Sequence, residues 1–229
     1  DPATAAWTPL GDAAIGSIGL GLADLLARPA PPARTPPPPQ PPRPRVPQPT
    51  PGERLPVAWV LQTLADLRAP DTIVVEEAPS ARPVMQAHLP MLRSGGFFTM
   101  DSGGLGWSLP AAVGVALAKP GARVIALIGD GSAMYAIQAL WSAAQLRLPI
   151  AVLILKNRRY AALQDFAPVF GYAPGDKPEG TDLEGLDFVA LAQGHGLPGR
   201  RVERPEGLRD ALAAALGHAG PLLIELVVA

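Results

Sequence analysis

The sequence predicts an α/β fold, in which a parallel sheet of about six strands carries helices on both faces. Two apolar runs of strand length, residues 124–128 and 150–155, flank a segment of helix length. Uninterrupted apolar strands are typical of parallel sheets that are buried on both faces. Comparable apolar runs alternate with helical patterns in the neighbouring sequence, which indicates one alternating α/β domain.

The composition of the 229 residues limits the class of protein. The 48% of hydrophobic residues suffices for a sizeable core, and a net charge of −1 indicates no nucleic-acid or anionic membrane partner. Because cysteine is absent, disulfides, thiolate metal sites and a cysteine nucleophile are excluded. No apolar run has the length of a membrane span and no signal peptide is recognisable, so we expect a cytoplasmic protein.

Three segments are predicted along the chain. Residues 1–28 indicate a strand end, a loop and an amphipathic helix, which are too short to fold alone. Residues 29–54 form a linker rich in proline, which favours an extended polyproline II strap, although a ligand for a proline-recognition module is the alternative. Residues 55–229 form the main domain. Because the chain begins at Asp1 without methionine, we expect a fragment, a processed product or an incomplete chain.

Periodicity and breakers predict the elements of the main domain. The helix at 57–68 has one apolar face, and Pro56 suits its first turn. A mobile loop is expected at 167–186, which is rich in Pro, Gly, Asp and Glu. The other predicted helices are 81–92, 107–118, 132–148, 187–195 and 206–218. The predicted strands are 72–76, 97–99 at an edge, 124–128, 150–155, 200–202 and 222–228.

Polar residues follow two consecutive predicted strands. Gly129, Asp130 and Gly131 form a turn after the first, and Asn157 follows the second. The carboxyl ends of parallel strands are where open α/β sheets bind ligands. Carboxylate and amide oxygens suit Mg²⁺, and a helix starting near Ser132 suits an anion. The turn alone would equally suit an aspartate that caps a helix, but the strands and Asn157 favour a magnesium-diphosphate site.

These residues resemble a known motif. Gly-Asp-Gly at 129–131 followed by Asn157 is similar to the motif of thiamine diphosphate enzymes. Residues 102–114 and 139–145 are similar to the benzoylformate decarboxylases within the thiamine diphosphate-dependent decarboxylase family. Acetolactate synthases have a longer glycine-rich stretch, which argues against that branch. The resemblance covers residues 55–229, and residues 1–28 resemble the end of the central domain of these enzymes.

The resemblance implies a set of site residues. Mg²⁺ would be bound by Asp130, Asn157 and the carbonyl of Arg159. Leu105 would be the catalytic residue, holding the cofactor bent, although packing in the core is the alternative. Ser80 would bind the diphosphate, unless it only caps the helix at 81–92. The implied cofactor-binding residues are Ser80, Gly103, Gly104, Leu105, Gly129, Gly131, Ser132, Tyr135 and Tyr160.

Residues around this site carry further expectations. The resemblance places Ala162, Leu163 and Phe166 in an apolar substrate pocket, unless they only pack on the core. The three cations near Asn157, namely Lys156, Arg158 and Arg159, are expected on the solvated surface, although an effect on loop dynamics and the binding of an outer carboxylate are alternatives. None of the histidines, His88, His195 and His218, is expected to be catalytic.

The resemblance implies that thiamine diphosphate and Mg²⁺ act in the non-oxidative decarboxylation of an aromatic or alkyl 2-keto acid. The family activates its cofactor with a glutamate from a pyrimidine-binding domain. This domain is not encoded here, so it would come from another subunit or a missing N-terminal part. We therefore expect a half-site that is inactive alone, within a homodimer or homotetramer. A carboligase of the acetolactate synthase kind and a non-catalytic cofactor-binding fragment remain alternatives.

Overall fold

The computed structural model describes residues 11, 13–32, 35, 42–173 and 175–229. The chain divides into two compact units, Asp1–Pro42 and Arg43–Ala229. In the first unit, helix α1 spans Ile18–Ala27, and the Ser17 hydroxyl caps it by accepting a hydrogen bond from the Leu20 N–H. All residues of α1 are exposed, including its apolar ones. The strand end predicted in the first ten residues lies outside the described residues.

The second unit alternates helices and strands. The strands are β1 Ile73–Glu77, β2 Phe97–Thr99, β3 Val124–Gly129, β4 Ile150–Lys156, β5 Gly199–Val202 and β6 Leu222–Val227. The α-helices are α2 Val57–Leu67, α3 Arg82–His88, α4 Ser108–Ala118, α5 Asp130–Ala133, α6 Ala139–Gln145, α7 Ala161–Phe166, α8 Phe188–Gly194 and α9 Leu208–Gly217. Short 3₁₀ turns lie at Pro79–Ala81, Ala167–Phe170 and Pro205–Gly207. No helix among the described residues is long and apolar enough to cross a bilayer.

The six strands form one parallel sheet with the order β2-β1-β3-β4-β6-β5. Its central strands β3 and β4 pair from Val124–Ile150 to Gly129–Leu155. Both strands are buried almost throughout, because helices cover the two faces. The predicted fold class is therefore confirmed.

Successive residues of each strand point into two different cores. Ile125 and Leu127 join the core beneath α2, α3 and α9. Ala126 and Ile128 join the core beneath α4, α6 and α8. Because β1, β3 and β4 pair in parallel, the turns after these strands open at the same edge of the sheet.

Two predicted helices are wrong in extent. The helix expected at 132–148 is split into α5 and α6, and tight i→i+3 hydrogen bonds such as Tyr135 N–H to Ser132 O join them. The helix expected at 81–92 ends at His88, because Leu89 precedes Pro90 and takes an extended conformation. Ser80 lies inside a 3₁₀ turn and caps neither this turn nor α3, so its predicted capping role is also wrong.

The end of the proline-rich segment packs on the second unit. Gln62 of α2 pairs with Val46, donating to its carbonyl and accepting from its N–H at 3.0 Å each. Arg45 makes two hydrogen bonds to Asp66, at 2.6 and 3.1 Å. Residues 43–52 therefore run as a strap along the domain surface, while the boundaries at residues 28 and 54 stay predictions.

Candidate functional site

Asp130 occupies the carboxyl end of β3, one strand away from Asn157 at the end of β4. The Asp130 side chain is buried, with 2% of its surface exposed. Its carboxylate accepts hydrogen bonds from the N–H groups of Gly131 at 2.9 Å and Arg158 at 2.6 Å. The two turns predicted to form one site are therefore joined through this carboxylate.

Burial raises the pKa of the Asp130 carboxyl, and the hydrogen bonds from Arg158 and Gly131 and the charge of Lys156 oppose it. Among the residues that the structure describes, no Lys or Arg lies within ion-pairing distance of this carboxylate. A buried carboxylate with no neighbouring cation destabilises the folded chain unless a bound ligand supplies the compensating positive charge. This environment suits a divalent cation.

The segment after β4 turns sharply and presents further oxygens. Arg158 adopts a left-handed backbone with φ of +62°, which places its N–H on Asp130. The Asn157 side-chain oxygen accepts from the Arg159 N–H at 3.1 Å. In the described part of the chain, the Arg159 carbonyl receives no hydrogen bond. One amide oxygen and one uncommitted carbonyl oxygen thus accompany the buried carboxylate.

These groups line a cavity of about 830 Å³ at the carboxyl edge of the sheet. This volume lies within the usual range for sites that bind small molecules and cofactors. Gly104 and Phe166 do not line the cavity, and 62% of the Phe166 surface is exposed. The lining contains the following predicted residues: Ser80, Gly103, Leu105, Gly129, Asp130, Gly131, Ser132, Tyr135, Asn157, Arg159, Tyr160, Ala162 and Leu163.

Two glycines are required where tyrosines pack against the backbone. A Cβ on Gly131 would overlap the ring of Tyr160. A Cβ on Gly106, whose φ is +88°, would lie 2.7 Å from the Cβ of Tyr135. Burial raises the pKa of the Tyr160 hydroxyl, and the neighbouring Tyr135 raises it further. Tyr135 thus packs against the glycine-rich loop, and Tyr160 packs against the turn at 129–131.

The sequence pattern predicts no role for Glu77, the last residue of β1. Its side chain is fully buried, and its carboxylate accepts hydrogen bonds from the N–H groups of Gly106 and Ser108, both at 2.6 Å. An acidic residue that ends an apolar strand was the available signal. It passed unnoticed because only the fold brings residues 77 and 106 together.

The loop at 167–186 also contributes to the cavity. Its residues Glu179, Gly180 and Thr181 line the wall. The Thr181 carbonyl accepts from the Tyr160 N–H at 2.8 Å, and Leu183 N–H donates to the Arg158 carbonyl at 2.7 Å. This end of the loop is therefore attached to the segment after β4. The predicted mobility of the loop stays a prediction.

The expected solvent exposure of the three cations is wrong for Lys156. Only 7% of its surface is exposed, and its ammonium contacts the Glu225 carboxylate at 2.6 Å. Glu225 also accepts from Arg201 at 3.0 Å and from the Phe188 N–H at 3.1 Å. Lys156 is the last residue of an internal strand, so its stem is enclosed, whereas Arg158 and Arg159 are exposed.

Among the described residues, which include His88, His195 and His218, no histidine lines the cavity. Within the described ranges, no cluster of three or more His, Cys, Asp or Glu residues could hold a metal. This finding is compatible with Mg²⁺, because Mg²⁺ uses few protein ligands and completes its coordination shell with phosphate oxygens and water.

The chain is similar in sequence to a family of known proteins. Residues 80–226 match the family model described as thiamine pyrophosphate enzyme, C-terminal TPP binding domain. The benzoylformate decarboxylase of Pseudomonas aeruginosa is 43% identical over 99% of this chain, and the match spans 42% of that protein. The acetolactate synthase isozyme 2 large subunit of Escherichia coli is 28% identical over 78% of this chain and 32% of its own length.

A solved structure matches the whole chain. The thiamine diphosphate-dependent 4-hydroxybenzoylformate decarboxylase of Rhodococcus jostii RHA1 superposes with a TM-score of 0.84 and 37% identity. The match covers 100% of this chain and 42% of that one, so this chain spans less than half the length of these decarboxylases. The chain belongs to the thiamine pyrophosphate enzymes and carries their C-terminal TPP-binding domain.

Proposed function

We propose that the chain is the diphosphate-binding half of a decarboxylase that uses thiamine diphosphate and Mg²⁺ to convert an aromatic or alkyl 2-keto acid into an aldehyde and CO₂. One observation supports this most strongly: Asp130, Asn157 and Arg159 line the same cavity as Ser80 and Leu105. Hard oxygen donors at one place and an apolar side chain at another suit a ligand with a diphosphate and an organic ring system.

The residues of this chain would bind and orient the cofactor. Asp130, Asn157 and the Arg159 carbonyl would bind Mg²⁺, while Ser80 and Ser132 would contact the diphosphate. Leu105 would support the ring system, with Gly103, whose φ is +77°, allowing the backbone to approach. When bound, thiamine diphosphate supplies the carbon nucleophile and the electron sink that decarboxylation of a 2-keto acid needs.

The substrate class rests on the apolar lining and on the relatives. Ala162 and Leu163 would form part of the substrate pocket, with Phe166 beyond the present lining. The two decarboxylases reported above act, by their names, on benzoylformate and 4-hydroxybenzoylformate. Both substrates are aromatic 2-keto acids, which an apolar wall would accommodate. The remaining pocket residues and the cofactor-activating glutamate would come from a pyrimidine-binding domain in the rest of the protein or in another subunit.

Binding and turnover test the proposal separately. Isothermal titration calorimetry should show that the chain binds thiamine diphosphate with Mg²⁺, and that EDTA abolishes this binding. Benzoylformate should be decarboxylated only when the chain is part of a polypeptide or complex that includes a pyrimidine-binding domain. Binding without any 2-keto acid turnover by that complete protein would instead support a non-catalytic relative. A C–C coupled product formed with an added aldehyde would support a carboligase.

A further inference from the structure

We propose that Glu77 is a positioning residue that holds the loop bearing Leu105 against the cofactor. This inference rests on the proposed function. It assigns a role to a buried carboxylate that is not among the groups proposed to bind the diphosphate or Mg²⁺. Glu77 lies on β1 beside β3, and its backbone pairs with Ile128, two residues before Asp130. It therefore connects the rigid sheet to the loop that precedes α4.

The contacts of Glu77 have the form of a clamp. Each of its hydrogen bonds to Gly106 and Ser108 measures 2.6 Å, which is short even for a charge-assisted bond. Gly106 directly follows Leu105, and Ser108 is the first residue of α4. A negative charge at this helix end is favourable, because the first turn of a helix presents unsatisfied N–H groups.

Little else holds this part of the backbone. Across the described residues, no other hydrogen bond involves the backbone N–H groups of residues 102–108. The second restraint is steric, since Gly106 packs so closely on Tyr135 that a Cβ would overlap. Gly106 is therefore held by Glu77 on one side and by Tyr135 on the other. Because Leu105 directly precedes Gly106, its backbone is restrained as well. A shift of Gly106 would move Leu105 within the cavity.

Glu76 provides a matched control, because it is the adjacent residue and equally buried. Its carboxylate accepts from the Ala78 N–H at 2.5 Å, from Thr99 Oγ1 at 2.8 Å and from Arg82 Nε at 3.1 Å. Successive strand residues point to opposite faces, which explains why these contacts differ from those of Glu77. Loss of Glu76 thus tests a buried glutamate that does not contact the loop.

The test compares thiamine diphosphate with inorganic diphosphate, which shares the diphosphate group but lacks the organic ring system. Titration calorimetry with Mg²⁺ should show that Glu77→Gln raises the Kd for thiamine diphosphate about tenfold, while the Kd for inorganic diphosphate changes less than about twofold. The glutamine keeps one acceptor oxygen but directs its NH₂ at a backbone N–H. Leu105→Ala should reproduce this selective loss. Glu76→Gln should leave the ratio of the two Kd values unchanged.

Hydrogen exchange provides a second measurement that needs no cofactor. The amides of Gly106 and Ser108 should exchange faster in Glu77→Gln than in wild type, and should keep their wild-type rates in Glu76→Gln. If Glu77→Gln does not fold, Gly106→Ala displaces the same backbone against Tyr135 and should show the selective loss of thiamine diphosphate affinity.

Three outcomes would overturn the inference. Equal weakening of both ligands would mean that Glu77 only maintains the site as a whole, and unchanged affinities would mean that the loop needs no clamp. If wild type binds diphosphate but not thiamine diphosphate, the proposed function itself fails. In that case, faster amide exchange of Gly106 and Ser108 in Glu77→Gln would mean that Glu77 stabilises the loop but has no role in positioning a cofactor.

Discussion

Asp130, which directly follows β3, and Glu225, which lies on β6, are both buried carboxylates beside β4, yet their surroundings differ in charge. Glu225 has no exposed surface, and it contacts the ammonium of Lys156 at 2.6 Å and the guanidinium of Arg201 at 3.0 Å. Asp130 receives two backbone N–H groups and, within the described residues, no ion-pair partner. Its pKa is raised because burial outweighs those hydrogen bonds.

We interpret the difference as one between a structural carboxylate and a carboxylate that would bind a ligand. The charge of Glu225 is compensated by the protein, so the group joins β4, β5 and β6 without needing a further partner. The charge of Asp130 is not compensated by an ion pair with any Lys or Arg among the described residues. A buried carboxylate without a protein cation is therefore the better indicator of a metal site, as perturbed groups in cavities generally are.

Substitution of Asp130 should produce the largest effect. Asp130→Asn removes the charge that Mg²⁺ would require, so the affinity for thiamine diphosphate with Mg²⁺ should fall by more than about 100-fold, measured by calorimetry. Without metal, two effects on the free energy of unfolding oppose each other. A raised pKa means that the ionised carboxylate destabilises the folded chain above that pKa, and asparagine removes this cost, but the asparagine NH₂ would face one of the two backbone N–H groups that the carboxylate accepts. Equal affinity in wild type and variant would contradict the metal assignment.

Substitution of Glu225 should show the opposite pattern. Glu225→Gln leaves Lys156 buried without a counter-charge, so the free energy of unfolding should fall by about 3 kcal/mol in urea titrations. The cofactor affinity of the folded fraction should change less than about threefold. As a control, Lys156→Met combined with Glu225→Leu removes both charges and should recover most of the loss. A loss below about 1 kcal/mol in Glu225→Gln would show that the ion pair is not a structural requirement.

The backbone beside Asp130 provides a smaller effect. Arg158 has a φ of +62°, a conformation that is unfavourable for residues with a Cβ. Arg158→Gly should therefore raise the free energy of unfolding by about 0.5–1 kcal/mol, because the N–H that binds Asp130 is retained. Arg159→Gly is the control and should lower stability, since Arg159 is not among the residues with positive φ. A lower free energy of unfolding for Arg158→Gly would mean that contacts of the arginine side chain stabilise the fold by more than its positive φ destabilises it.

Asp187 should show the smallest effect. This exposed carboxylate caps α8 through the Ala190 N–H and contacts Arg201, and both interactions hold its pKa below 3.8. Because the pKa is lowered on folding, the stabilisation is present above pH 3.8 and is lost as the pH falls through the folded value. A ¹³C NMR titration of the Asp187 carboxyl should give a midpoint below 3.8 in wild type. The same midpoint should move upward in Arg201→Gln.

The sequence predicted the elements whose pattern is local. The strands that became β3 and β4 were recognisable as apolar runs between breakers, and Gly129, Asp130 and Asn157 followed them at positions that parallel pairing brings together. The division of the expected helix at 132–148 was not predictable in this way. Tyr135, which lies between the two helices, packs against Gly106, and this contact joins residues distant in sequence.

The sequence by itself determined the fold class, the edge of the sheet that carries the candidate site and the family, because apolar periodicity and short motifs are properties of neighbouring residues. Only the tertiary structure decided which charges are compensated. It paired Lys156 with Glu225, left Asp130 with backbone N–H groups, and directed Glu77 to the loop of Leu105. These outcomes depend on burial and on distances across the sheet, since the free energy of a charge is set by its surroundings.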